Sequence, residues 1–219
     1  MRFYPFLLLL LLVVGCESAS PGREDPAHAS LPASAEMEKQ SPRYIDTLDF
    51  QAHPRYEISG VYQRSDTLVV VSGSSAVAYP LGKFETPKAF LTRYPGFTLT
   101  SELENPGNTG PVRVYTFTRG TNKVRMVKMS PGEEYDYGPW LDITSGLLTE
   151  PAIPLATGIH VGMTQRDVLA ALFQSLHLEE AHPLRIIALT YVVDGQIQYC
   201  HLDQGVVTEI QLISDYTIK

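Results

Sequence analysis

Residues 185–213 read RIIALTYVVDGQIQYCHLDQGVVTEIQLI, and this stretch decides the fold. Three runs rich in β-branched and aromatic residues, Arg185 to Val193, Gln196 to Leu202 and Val206 to Ile213, are separated by Asp194-Gly195 and by Asp203-Gln204-Gly205. Glycine after a small polar residue supplies the positive φ that tight hairpin turns demand, so the runs predict an antiparallel three-stranded meander. On the last run Val206, Thr208, Ile210 and Leu212 are expected on one face, with Glu209 and Gln211 on the other. Such alternation predicts one dry and one wet face, with a helix on the dry one.

That helix is predicted just upstream. Thr164 followed three residues later by Asp167 has the spacing of a capping box, with an acid well placed at a helix N-terminus. Val168, Leu169, Leu172, Phe173 and Leu176 then form one apolar stripe. The segment Ile159-His160-Val161-Gly162-Met163-Thr164, followed by Val168 and Leu172, resembles a pattern in the small outer-membrane assembly lipoproteins of the SmpA/OmlA type. It is similar also to the repeat unit of β-lactamase-inhibitor-like proteins. The resemblance implies a short helical element followed by an antiparallel meander, used as a protein-binding surface rather than as an active site. Gly162 permits a sharp turn into the helix that Thr164 caps.

Working back toward the N-terminus, the same order is expected again. Tyr56 to Gln63 and Thr67 to Ser72 flank Arg64-Ser65-Asp66 as a hairpin, and Ala76 to Leu81 is a third apolar run. Thr86 can cap a short helix with Pro87 at its first position and with Phe90, Leu91 and Tyr94 on one face; Pro95-Gly96 stops it. After a polar loop near Asn105 to Gly110, alternating residues from Val112 to Thr118 and from Lys123 to Met129 flank Arg119-Gly120-Thr121-Asn122, and Trp140 to Leu148 completes the meander. Leu81-Gly82-Lys83 can be a degenerate counterpart of Val161-Gly162-Met163. The fold class expected is therefore α+β, antiparallel β-meanders with short helices packed on one face, in two tandem related units, residues 56–155 and 156–219.

Residues 16–55 are rich in Ala, Ser, Pro and Glu without apolar periodicity, and read as a disordered tether. A coil of roughly 40 residues spans on the order of 35 Å. Before it, Arg2 precedes an unbroken apolar run from Phe6 to Val14, then Gly15-Cys16. That is the layout of a secretory signal, residues 1–15, and the run falls short of the roughly 20 residues that cross a bilayer. Val13-Val14-Gly15-Cys16 resembles the lipobox of bacterial lipoproteins, which implies acylation of Cys16 with palmitate-type chains and a membrane anchor in the cell envelope. Glu17 is not the aspartate that resembles an inner-membrane retention signal, which points to the outer membrane, facing the periplasm.

Charge and cysteine usage narrow the partners. The chain carries 17 Lys plus Arg against 24 Asp plus Glu, a net of −7, so nucleic acid and other phosphate surfaces are poor partners. With Cys16 acylated, Cys200 is the one remaining thiol and no intrachain disulfide can form.

Few residues offer chemistry. Cys200-His201 are strand neighbours and point to opposite faces, so they cannot form a dyad. His177, Glu179, Glu180 and His182 lack the i,i+4 histidine spacing of a helical metal site and read as a solvated helix end. No nucleophile elbow, phosphate-cradling loop or zinc-protease motif occurs in the sequence. Neither a catalytic residue, a metal site nor a cofactor is expected. The segment Glu133-Glu134-Tyr135-Asp136-Tyr137-Gly138-Pro139-Trp140 combines three aromatics with three carboxylates between strands. Two readings stand for it, a partner-contact loop or a solvated loop whose Trp140 simply begins the next strand. The expected function is a noncatalytic envelope lipoprotein that binds another protein, as an assembly factor or inhibitor. The alternative is a small-molecule or glycan binder with an aromatic cleft between the two units.

Overall fold

Alternation and turn chemistry build nearly half of the described residues into strands, 48% against 14% in helices. The computed structural model describes residues 42–105, 111–128, 139–178, 183–193 and 195–214. Its strands are β1 (Arg43–Tyr44), β2 (Phe50–Ala52), β3 (Ile58–Arg64), β4 (Thr67–Ser72), β5 (Thr98–Glu104), β6 (Val112–Arg119), β7 (Asn122–Lys128), β8 (Leu141–Leu148), β9 (Phe173–Leu176), β10 (Ile186–Tyr191), β11 (Ile197–Asp203) and β12 (Val206–Ile213). The helices are α1 (Ser75–Ala78), α2 (Pro87–Arg93) and α3 (Gln165–Leu172), preceded by a 3-10 turn at Pro54–Tyr56.

Ten strands form one mixed sheet in the order β1-β3-β4-β10-β11-β12-β8-β7-β6-β5. The C-terminal meander β10–β12 thus lies between the hairpin β3–β4 and the meander β5–β8. Residues 56–155 and 156–219, expected as two units, therefore share a single sheet rather than forming one each. The junction of β4 with β10 is parallel, from Ile186↔Thr67 to Tyr191↔Ser72, and the sheet's other junctions are antiparallel.

The three-run reading of residues 185–213 holds, and the turn after β11 shows why. Gln204 and Gly205 both take positive φ, 48° and 75°, the twist that a two-residue hairpin loop needs. The facing of β12 differs from expectation. His201 opposes Glu209 but Leu202 opposes Val207, so Thr208 is an extra residue and β12 carries a bulge there. Val207, not Val206 or Thr208, is buried with Ile210 and Leu212.

Helix ends follow the sequence closely. Thr86 accepts a hydrogen bond from the Ala89 amide and caps α2, with Pro87 in the first turn. Thr164 and Asp167 form the full reciprocal capping box of α3. The apolar stripe expected to run through Phe173 and Leu176 is cut short: α3 stops at Leu172, and Phe173 enters extended backbone as β9. There the backbone pairs with β2, and the rings of Phe50 and Phe173 meet edge to face at 5.8 Å. Of residues 16–55, expected as a tether, those from 43 onward instead carry β1, β2 and the start of the 3-10 turn. The expected signal segment 1–15, Cys16 and the rest of the expected tether up to residue 41 lie outside the described residues.

One face of the sheet is the core. Leu68, Val70, Ile187, Leu189, Cys200, Ile210, Leu212, Val124 and Phe117 cluster with Val77 of α1, Phe90 of α2, and Val168 and Leu172 of α3. Burying each large apolar side chain contributes roughly 1.5–3 kcal/mol. Gln198, on the same face, donates from Nε2 to the Val77 carbonyl at 2.7 Å and ties α1 to the sheet.

Candidate partner-contact surface

Of the aromatic and acidic residues of the expected contact loop, Trp140 is the one that falls within the described residues. Glu133, Glu134, Tyr135, Asp136 and Tyr137 lie outside them. Trp140 immediately precedes β8 and is half-buried. Its neighbour Leu141 donates its amide to the Phe84 carbonyl at 2.7 Å, which fixes the start of β8 against residues 83–85. Gly82 makes the approach possible, since its φ of 102° turns the chain after α1 in a way an L-residue resists. Exposed Lys83 then projects its ammonium over two rings, 4.6 Å from the centre of Tyr79 and 5.6 Å from that of Trp140. Both distances fall in cation–π range, worth about 0.5–1 kcal/mol at an exposed site. The result is a surface patch of two aromatic rings bridged by one cation. Trp140 was legible in the sequence; Tyr79 and Lys83 were not, because only the fold brings residues 79–83 beside residue 140.

A second surface runs across the sheet face opposite the core. Register places Tyr44, Tyr62, Val69, Ala188, Tyr199, Gln211, Leu147, Lys123, Thr118 and Thr98 directly side by side, one from each strand of the sheet. Tyr62, Val69, Tyr199, Gln211 and Leu147 are half-buried. This outer row presents aromatic and aliphatic groups at one end and Lys123 with two threonines at the other. The Tyr44 and Tyr62 rings meet at a tilt of 47° with centres 5.6 Å apart, and Tyr44 is 75% exposed.

The residues weighed for chemistry are separated as their strand positions require. Cys200 is fully buried in the core, opposite Ile210, and burial pushes its thiol up to about 12. His201 is on the outer face, opposite Glu209 and 6.3 Å in ring centres from Tyr199. His177 is exposed just after β9, while Glu179, Glu180 and His182 lie outside the described residues. Among the described residues, no three or more His, Cys, Asp or Glu side chains gather as a metal could require. No helix among them is long and apolar enough to cross a membrane.

Two open clefts flank the C-terminal meander. One, of about 440 Å³, lies between α3 and β9 and includes Arg166, Leu169, Phe173 and Leu176. The other, of about 540 Å³, lies beside the β11–β12 turn and includes Leu184, Arg185, Leu202 and Asp203. Among the described residues each is lined from within 165–205, and Phe173 is the one aromatic of the two linings.

Compared with known proteins, the chain matches no family model, no curated protein and no solved structure.

Proposed function

We propose that this chain is a noncatalytic cell-envelope lipoprotein that binds another protein, held by acyl chains on Cys16 at the outer membrane and facing the periplasm. The observation that carries the binding role is the outer row of the sheet, where Tyr62, Val69, Tyr199 and Leu147 stand in register and half-exposed on the face away from the core. Flat, mixed surfaces with aromatic anchors suit partner recognition, because tyrosine brings large contact area with few rotatable bonds. The Tyr79–Lys83–Trp140 patch supports the same reading from the core side of the molecule. The SmpA/OmlA resemblance of residues 159–172 favours an assembly or inhibitory partner, and the lipobox resemblance of residues 13–16 supports the address.

Photo-crosslinking in intact envelopes tests the role. A photoreactive residue at position 199 or 140 is expected to give a discrete adduct with an envelope protein, and the Tyr62→Glu/Leu147→Glu variant should abolish the adduct from position 199. The absence of an adduct from both positions would overturn the binding role. Anchoring is tested separately: Cys16→Ser should abolish incorporation of labelled palmitate and release the protein from membranes. Unchanged labelling would overturn the address.

A further inference from the structure

We propose that two copies of this chain join edge to edge through β5, antiparallel, about a two-fold axis normal to the sheet that passes midway between the two copies of Ser101. The proposal is independent of the binding role above. β5 ends the ten-stranded sheet. On one side it pairs with β6 in unbroken register from Thr98↔Thr118 to Glu104↔Val112. In an antiparallel strand alternate residues direct their N–H and C=O groups to opposite sides, so about half of the backbone groups of β5 point away from the sheet.

Edges of this kind are ordinarily guarded by shortness, by Lys or Pro, or by a bulge. β5 is seven residues long, contains neither Lys nor Pro, and has no register shift. Its two carboxylates are drawn back over the sheet instead of guarding it. Arg125 of β7, two strands inward, pairs with Glu104 and lies 3.9 Å from Glu102. Leu99 and Leu103 are left at the edge, 38% and 62% exposed. They lie on the core side, since Leu99 opposes Phe117, a fully buried core residue.

The sequence of β5, Thr-Leu-Thr-Ser-Glu-Leu-Glu, is complementary to itself in one register. A two-fold axis normal to the sheet keeps both core faces on the same side and requires that residues of like parity face each other. Outward-pointing backbone groups therefore always meet outward-pointing ones. With the axis at Ser101, Leu99 faces Leu103 of the second copy, Thr100 faces Glu102, and Thr98 faces Glu104. Apolar groups pair with each other and no like charges are opposed. With the axis at Glu102, that carboxylate faces its own copy and Leu103 faces Ser101. An axis at Thr100 sets Leu99 against Ser101 and carries Leu103 past the end of the strand. Charge and hydrophobic matching thus select Ser101, and the second copy extends the core-side apolar face across the junction.

The test uses the purified full chain in a Cys16→Ser background, in which Cys200 is buried. Across the axis the two residues at position 101 would have Cα atoms about 4.5–5.5 Å apart, within disulfide reach. Mild oxidation of Ser101→Cys should therefore give a covalent dimer. Thr98→Cys should not, because position 98 of the second copy lies roughly 20 Å along the strand. Sedimentation should give a dimer for the unsubstituted edge, a monomer for Leu99→Lys/Leu103→Lys, and a dimer again for Leu99→Lys/Leu103→Glu, with circular dichroism unchanged in all three. A monomer at every concentration up to hundreds of micromolar would overturn the proposal. So would a dimer that persists in Leu99→Lys/Leu103→Lys.

Discussion

Gly146 of β8 stands directly across from Leu212 of β12, and the leucine fills the space that a side chain at position 146 would need. A Cβ there would come within 2.9 Å of Leu212 Cδ1 and 3.2 Å of its Cβ and Cγ. This contact lies at the joint where the C-terminal meander meets β5–β8, so it locks the two halves of the sheet in register. Gly146→Ala should overpack the joint and cost about 1–3 kcal/mol, read as a lowered urea midpoint. Leu212→Ala in the same chain should recover part of that cost. Strict additivity of the two substitutions would show that they do not share the space.

Residues 43–56 make a second expectation. Phe50 packs edge to face on buried Phe173, the His53 amide donates to the Leu172 carbonyl at 3.0 Å, and the His177 amide donates to Asp49 at 2.8 Å. Phe50→Ala should therefore cost about 2 kcal/mol, less than for a fully buried ring because Phe50 is half-exposed. If the segment were merely a tether, thermal unfolding would not change.

How much of this fold the sequence discloses depends on burial. β10–β12, α2 and α3 announce themselves because their apolar residues alternate or recur toward one core and their ends carry glycine, threonine or proline. β5 gives no such signal: six of its seven side chains are exposed and the seventh is half-buried, so no periodicity marks it as a strand. β9 hides for the opposite reason, since Phe173 and Leu176 continue the helical stripe of α3 and only pairing with β2 pulls them into extended form. The parallel junction of β4 and β10 joins residues more than a hundred positions apart, and it creates the outer row from Val69 through Tyr199. Local pattern cannot show it.

Cys200 gives the fold a dependence on alkaline pH. A thiol ordinarily titrates near 9.0, and burial in this core pushes it to about 12. The folded state therefore holds its proton longer than the unfolded chain does. Its contribution is complete below pH 9 and is lost as the pH rises toward 12, by up to about 4 kcal/mol. Burial also raises the Tyr56 and Tyr94 hydroxyls, against smaller opposing effects of Arg55 and Arg93, and these add a slope of the same sign to any variant that keeps them. The difference between the chain and Cys200→Ala isolates the thiol. Their stability gap should change with pH between 9 and 12 and stay constant between 6 and 8. A constant gap throughout would mean that the thiol is not held in the core.

Tyr56 closes a longer connection. Its hydroxyl donates to the Thr157 carbonyl at 2.8 Å in a buried site, which ties the 3-10 turn to the loop ahead of α3. Tyr56→Phe keeps the ring but leaves that carbonyl without its donor, at an expected cost of about 1–3 kcal/mol. Thermal denaturation should register the loss, and an unchanged midpoint would show that another donor satisfies Thr157.

The chain contains a single tryptophan, so Trp140 emission reports on the Tyr79–Lys83–Trp140 patch alone. Lys83 holds its ammonium over both rings, and that contact should weaken when the charge is removed while the aliphatic stem is kept. Lys83→Met is therefore expected to shift the emission and to cost about 0.5–1 kcal/mol; Lys83→Arg, which restores a cation, should return both toward their original values. If the patch is also a contact surface, iodide quenching of Trp140 should fall when the crosslinked partner is bound. Quenching that is identical in the free and bound states would place the interface elsewhere, on the outer row that carries Tyr199.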